Sequence, residues 1–200
     1  MGGIAVDVVL LPDEAMTTQA IQVNRRLVGD QHQEIVLDRK TCLPHISLAM
    51  GCVDEKEIDA IREMLEGVAR ESTVSERKIV GVITPVNSRG ETTSLFEVEK
   101  TGELQRLHER VMNEMDRFFA YNVTETMLYD DVVAETTLEW IRNYRRKASY
   151  ERFSPHITIG YGEVPVALSF PIAFRASRLA VCHLGNHCTC RKVLVSVDLS

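Results

Sequence analysis

Pro44-His45-Ile46-Ser47-Leu48-Ala49 returns in the second half of the chain as Pro155-His156-Ile157-Thr158-Ile159-Gly160. Each copy runs proline, histidine, isoleucine, a small hydroxyl residue, a branched aliphatic and then one of the smallest residues. Side chains on an extended strand alternate faces with period two. His45, Ser47 and Ala49 are therefore expected on one face, and His156, Thr158 and Gly160 on the matching face of the second strand. Ile46, Leu48 and Met50, then Ile157, Ile159 and Tyr161, fall on the opposite faces and suit a core. Each strand thus presents an imidazole, a hydroxyl and an empty space. Two such strands side by side would hold a reacting group between two histidines.

Outward from these copies the chain divides into comparable halves. Ile4 to Leu11 reads as a mostly apolar strand, and Pro12-Asp13-Glu14 opens a helix to about Val28, closed by Gly29-Asp30. Glu34 to Leu37 reads as a short strand before the first histidine strand. A second helix begins near Asp54, with Ile58, Ile61, Leu65 and Val68 at helical spacing. Val74 to Val86 is expected as a strand or strand pair, Asn87 to Gly90 as a turn, and Ser94 to Val98 as a strand. In the second half, Gly102 to Phe119 and Glu135 to Ala148 read as helices, the first with Leu104, Leu107, Val111 and Met115 on one stripe. Strands over Leu168–Phe174, Arg178–Leu184 and Thr189–Leu199 finish the chain, the last two joined by a two-residue turn at Gly185-Asn186. The expected fold is one α+β domain over residues 1–200 with two pseudo-symmetric lobes.

The chain has 200 residues, 44% of them hydrophobic and 26% charged, so it is globular rather than disordered. Its formal charge of −6 argues against a long nucleic-acid duplex as partner, which needs a basic surface. A small nucleotide or an RNA terminus needs only a local cluster of donors. No apolar run reaches the roughly 20 residues of a membrane span, and Met1-Gly2-Gly3-Ile4 does not open a secretory signal. Cys42, Cys52, Cys182, Cys188 and Cys190 are an odd set with no small disulfide scaffold around them. Reduced thiols in a cytoplasmic protein are expected, and a monomer, since nothing specifies an oligomer.

His45-Ile46-Ser47-Leu48 and His156-Ile157-Thr158-Ile159 resemble the paired His-x-[Ser/Thr]-hydrophobic motifs of the 2H phosphoesterase superfamily. In length and layout the chain is similar to its bacterial and archaeal 2'-5' RNA ligase-like group, which includes RNA 2',3'-cyclic phosphodiesterases. The resemblance covers most of the chain in order of elements, with sharp matches only in the two six-residue segments. It implies two lobes of mostly antiparallel sheet with flanking helices, related by a pseudo-two-fold axis. A central groove would carry both motifs on its floor. It also implies chemistry without metal or other cofactor on a phosphodiester, typically a 2',3'-cyclic phosphate at an RNA end or on a nucleotide. By analogy, His156 is the general base and His45 the general acid in ring-opening hydrolysis, with the roles exchanged in the ligation direction.

The residue types suit that chemistry in themselves. An imidazole with a pKa of ~6.5 is poised so that one of the pair can be neutral and the other protonated. Each proton transfer typically contributes ~10²–10⁴-fold. Ser47 and Thr158 would donate to the non-bridging phosphate oxygens, with Ala49 and Gly160 leaving room for the nucleotide. Arg142, Arg145, Arg146, Lys147 and Arg152 form the densest basic cluster, read either as cations at a helix C-terminus or as a phosphate clamp beside His156. Arg146 and Arg152 are the candidates for that clamp. Phe153 is a candidate to stack on a base, with a core role as the alternative, and Tyr150 and Trp140 stand behind it for the same job. Tyr161 stands where many relatives resembling this group carry a basic residue, which bears on substrate preference.

Two other readings stay open. One is a nucleotide-binding domain that keeps the motifs without turnover. The other is metal binding by Cys182-His183 and His187-Cys188-Thr189-Cys190. A two-residue turn would set His183, Cys188 and Cys190 on one face and Cys182 and His187 on the other. That split leaves no evident fourth ligand, so ordinary sheet cysteines and no metal site are expected. His32 and His108 are expected in exposed polar segments. Neither a Walker-type phosphate loop nor a Gly-x-Ser-x-Gly elbow is present.

Overall fold

Two strand-rich halves share a single long strand. The computed structural model describes residues 2–29, 34–72, 76–86, 90–165 and 167–199. In chain order the elements are β1 (Gly3–Pro12), α1 (Glu14–Val28), β2 (Ile46–Asp54), α2 (Ile58–Arg70), β3 (Glu76–Ile83), β4 (Thr93–Val98), α3 (Gly102–Met115), α4 (Glu135–Lys147), β5 (His156–Tyr161), β6 (Ile172–Leu184) and β7 (Cys190–Asp198). All pairings are antiparallel, in the order β2-β1-β6-β3-β4-β5 with β7 also on β6. The first part of β6 pairs with β3, while the remainder lies between β1 and β7. β6 therefore joins a β2-β1-β6-β7 lobe to a β6-β3-β4-β5 lobe, which is the α+β bilobal architecture expected.

The helices form where cap and stripe coincide. Asp13 opens α1 by accepting the Met16 amide at 2.9 Å, and Thr101 opens α3 by accepting that of Leu104 at 3.2 Å. The stripes Ile61, Leu65 and Val68 on α2 and Leu104, Leu107, Val111 and Met115 on α3 are all buried. Each such aliphatic side chain contributes about 1.5–3 kcal/mol by leaving water. The helices cross between lobes, with α1 packing on β5 and α3 on β2.

Both histidine strands carry a bulge at the same place in the repeat. Val8 pairs with Ala49 and Val9 with Ser47, leaving Leu48 as the extra residue. Ser94 pairs with Gly160 and Leu95 with Thr158, leaving Ile159 extra. A bulge resets the alternation and re-aims the side chains beyond it. Strict alternation therefore fails after the hydroxyl residue. Met50 stays in the core as expected, though it touches the cavity, whereas Tyr161, also expected in the core, turns into the cleft. Ala49 and Gly160, expected to leave a gap beside the substrate, pack into the protein instead. Gly160 has φ +149°, and a Cβ there would lie 3.1 Å from Asn24 Nδ2 and 3.3 Å from Leu27. Glycine is required at that position by α1, not by a ligand.

Other expectations are corrected as well. Residues 34–37 form no strand, because Asn24 takes the Ile35 carbonyl and the Leu37 amide that a strand would pair. Leu168–Phe174 and Arg178–Leu184 are not separate strands; β6 runs unbroken from Ile172 to Leu184. The expected turn over 87–90 and His32 lie wholly or mostly outside the described residues. The β6–β7 connection is longer than a two-residue turn, so Leu184 pairs with Cys190 and His183 with Lys192. Tertiary bonds override the short turn. The Asn186 amide carbonyl accepts from Ala134 N at 2.9 Å and Thr137 Oγ1 at 3.0 Å, and the His187 amide donates to Thr137 Oγ1 at 2.9 Å. His187 and Cys188 are held at φ 56° and 54°. The new register brings Cys182 and Cys190 together as a disulfide, where reduced thiols on opposite faces were expected. That pairing removes two thiols from the suggested metal set.

Candidate active site

One cavity of about 430 Å³ is lined by His45 and Ser47 from the first copy and by His156 and Thr158 from the second. The two strands lie at opposite ends of the sheet order, so the sheet curls until its ends meet around this cleft. His45 Nδ1 lies 2.7 Å from the Leu43 carbonyl, and His156 Nδ1 lies 2.8 Å from the Ser154 carbonyl. A carbonyl only accepts, so each Nδ1 carries a hydrogen and each Nε2 is left for chemistry. The same two-residue backward bond fixes the same tautomer in both halves. Burial lowers the pKa of both imidazoles; for His45 the nearby His156 lowers it further, against the Leu43 carbonyl. Without an anion in the cleft both rings therefore favour the neutral form, whereas the sequence pointed to one neutral and one charged.

The bulges expose one carbonyl in each strand, and each is capped across the lobes. Leu48 O accepts from His108 Nδ1 of α3 at 2.7 Å. Ile159 O accepts from Asn24 Nδ2 of α1 at 2.6 Å. Asn24 also donates to Ile35 O at 3.0 Å and accepts from Leu37 N at 2.9 Å, so every polar atom of this buried side chain is used. His108 is likewise buried, not exposed as expected. Its Nε2 accepts the Tyr150 amide at 2.7 Å and so holds Tyr150 at φ 57° just upstream of the second motif. Burial brings its pKa down to about 4, which suits a ring that must stay neutral to make both bonds.

The structure distributes the other candidates unevenly. Arg152 lines the cleft and its guanidinium donates to the Arg146 carbonyl. Lys147 lines it as well. Arg146 does not; it turns along α4 to Asn143 Oδ1 at 2.8 Å. Arg142 pairs with Glu135 at 2.6 Å and Arg145 pairs with Asp116. The helix C-terminus thus accounts for most of the basic cluster, and its end alone reaches the cleft. Phe153 touches the cavity but is only 3% exposed, with one ring face stacked on His108 at 4.0 Å between centroids. It belongs to the core, the alternative the sequence offered, and not to a base platform. Trp140, also on the wall, is 42% exposed.

Three residues of the site are not placed beside the two histidines by the sequence, although His187 and Cys188 stand out there as candidate metal ligands. Asp7 on β1 is fully buried behind the first motif, with Oδ2 2.5 Å from Ser47 Oγ and 3.7 Å from His45 Nε2. Its signal is a lone carboxylate within an apolar strand. His187 and Cys188 reach the cleft because the β6–β7 turn is longer than expected. Tyr161 lines the wall, its hydroxyl 2.8 Å from His187 Nδ1, and His187 Nε2 lies 2.8 Å from a Glu34 carboxylate oxygen.

Two lobes of antiparallel sheet that each deliver a histidine and a hydroxyl to one cleft define the class of 2H phosphoesterases. The 2'-5' RNA ligase superfamily matches residues 20–184. Among solved structures the fold is similar to TT0787 of Thermus thermophilus (16% identity, TM-score 0.62, 98% of each chain covered). It is also similar to E. coli LigT complexed with 3'-AMP (14%, 0.59, 99% of each chain). LigT complexed with phosphate gives 12% identity and a TM-score of 0.56, over 100% of this chain and 99% of that one. No curated protein matches the sequence. The chain belongs to the 2'-5' RNA ligase superfamily, with the LigT-like phosphoesterase fold. No helix among the described residues is long and apolar enough to cross a membrane.

Proposed function

We propose that this protein is a phosphodiesterase acting on 2',3'-cyclic phosphate ends of RNA or of nucleotides, by two-histidine general acid/base catalysis that calls on no metal. The observation that carries this reading is the pair of imidazoles in one cleft, both locked with Nε2 available. LigT binds phosphate and 3'-AMP in the structures named above, and a nucleotide phosphate is the ligand class the present cleft suits.

In the proposed reaction the phosphodiester sits between the imidazoles. His156 Nε2 takes a proton from the attacking water, and the new P–O bond opens the ring. His45, charged when the anion enters and raises its pKa, gives its Nε2 proton to the departing ribose oxygen. Thr158 and Ser47 donate to the non-bridging oxygens, where the negative charge gathers. Lys147 and Arg152 supply positive charge at the rim, and Trp140 and Tyr161 flank the nucleotide. In the reverse direction the free ribose hydroxyl attacks the phosphorus and gives its proton to His45, while His156 protonates the oxygen that departs, so the two histidines exchange roles.

Turnover of adenosine 2',3'-cyclic phosphate and of an RNA ending in the same group tests this. The wild-type protein is expected to open the ring, and His45→Ala or His156→Ala to lose about 10²–10⁴-fold while keeping the wild-type circular dichroism spectrum. Binding without turnover in the wild type, or near-normal turnover in either variant, would overturn it.

A further inference from the structure

Asp7 lies at the centre of an otherwise apolar stretch, Ile4-Ala5-Val6-Asp7-Val8-Val9, and is wholly buried. A carboxyl buried among aliphatics costs free energy that packing does not return. Its Oδ2 shares a 2.5 Å hydrogen bond with Ser47, while Oδ1 makes no hydrogen bond of full geometry. The ionisable groups that face it are His45 just before β2, Tyr144 on α4 and Cys188 in the β6–β7 turn; its partner on β6, Cys182, is in the disulfide. Among the described residues no lysine or arginine pairs with it.

Which oxygen owns the shared hydrogen decides what Ser47 can do. A carboxylate only accepts, so Ser47 must direct its one proton to Asp7 and present lone pairs to the cleft. A carboxylic acid donates to Ser47 Oγ, and the serine proton is then available elsewhere. We propose that Asp7 is a protonation-dependent positioning residue for the first half-site. As a neutral acid it donates to Ser47 and frees the Ser47 hydroxyl to donate to a non-bridging oxygen of the bound phosphodiester. As a carboxylate it withdraws that donor and repels the anion. Ionisation releases the Asp7 proton to solvent, and substrate binding takes it back.

Desolvation holds the Asp7 carboxyl well above its ordinary range, against the opposing pull of the Ser47 hydroxyl and the Ala49 amide. His45 is driven neutral by burial too, so it offers no standing positive charge to stabilise a carboxylate. An anion in the cleft favours the proton-bound form of both groups, which makes their titrations coupled. The second half-site lacks this device. Thr93 occupies the matching register position, opposite Tyr161 as Asp7 is opposite Met50.

This inference rests on the phosphodiester reading of the cleft, and its test separates the two. Adenosine 2',3'-cyclic phosphate keeps one charge near neutrality, so its affinity is measured against pH in His156→Ala protein, with and without Asp7→Asn. In the parent, Kd is expected to rise about tenfold per pH unit once Asp7 ionises. The side-chain amide introduced by Asp7→Asn donates to Ser47 at every pH, so that variant loses the Asp7 part of the limb and keeps only the shallower dependence that His45 supplies. Ser47→Ala should weaken binding about tenfold in the Asp7→Asn background and little in the parent above the limb. Calorimetry on the otherwise wild-type chain in buffers of different ionisation enthalpy, using 3'-AMP and correcting for the ligand's own titration, should show proton uptake on the same limb. An identical pH dependence with and without Asp7→Asn, or no proton uptake between about pH 5 and 9, would overturn the role of Asp7. Wild-type turnover with that result leaves the phosphodiesterase reading standing. Proton-linked binding that Asp7→Asn reduces, without wild-type turnover, removes that reading and keeps the Asp7 device.

Discussion

At His45 the carbonyl left over by the strand bulge is capped by an imidazole, His108; at His156 the matching carbonyl is capped by an amide, Asn24. Behind Ser47 stands a buried carboxyl, whereas the matching position behind the second strand holds Thr93. The two half-sites therefore share a backbone device and differ in what titrates around it. Bulge, tautomer lock and cross-lobe cap recur because the geometry of two facing imidazoles needs all three. The groups that supply them differ: the supports of the first half-site, His108 and Asp7, titrate, whereas those of the second, Asn24 and Thr93, do not.

The sharpest way to break the comparison is to remove the caps. Asn24→Leu leaves Ile35 O, Ile159 O and Leu37 N buried without partners, and is expected to cost roughly 3 kcal/mol or more in urea unfolding. His108→Leu strands two groups, Leu48 O and Tyr150 N, and should cost less, about 1–3 kcal/mol. Equal losses would mean that the two caps are not the asymmetric pair described. A second contrast lies in pH. His108 has its folded pKa lowered to about 4, so between that value and ~6.5 the unfolded chain binds the extra proton. Its contribution to stability is present above that window and is lost as the pH falls through it. The stability of the wild type should consequently fall more steeply from about pH 6.5 to 4 than that of His108→Leu, measured by chemical denaturation at each pH. Parallel curves would remove His108 as the titrating cap. A last contrast, ending in the smallest effect, concerns the final residue of each copy. Gly160→Ala meets Asn24 at 3.1 Å from a backbone at φ +149°, and should lower stability by about 1–3 kcal/mol. Ala49→Gly, at a backbone that is not in that region, should cost only about 0.5–1 kcal/mol.

The repeat makes both histidines and both hydroxyls legible in the sequence, because a matched spelling of strand, imidazole and hydroxyl has few structural uses. The bulges are not legible. Leu48 and Ile159 are ordinary strand residues, and only their pairing partners show that each is the extra one. That single omission misplaces Tyr161, Ala49 and Gly160. The caps are hidden for a related reason: Asn24 and His108 lie in helical stretches whose apolar stripes give no sign that a polar residue is buried. Asp7 is visible as a carboxyl among aliphatics but stands far in sequence from Ser47. At the β6–β7 connection the local turn residues point to a tight hairpin, and bonds from Asn186 and His187 to the start of α4 outweigh them. Element types survive in most places because periodicity is local; the ends and faces depend on contacts from the other lobe.

Two histidines acting as one acid/base unit carry the whole account, and rates of ring opening in His45→Ala, His156→Ala and the double variant test it most directly. Removing either partner disables the same step, so the double variant should be about as slow as the slower single one. Losses that multiply in the double variant, or a single variant with near wild-type rate, would contradict it.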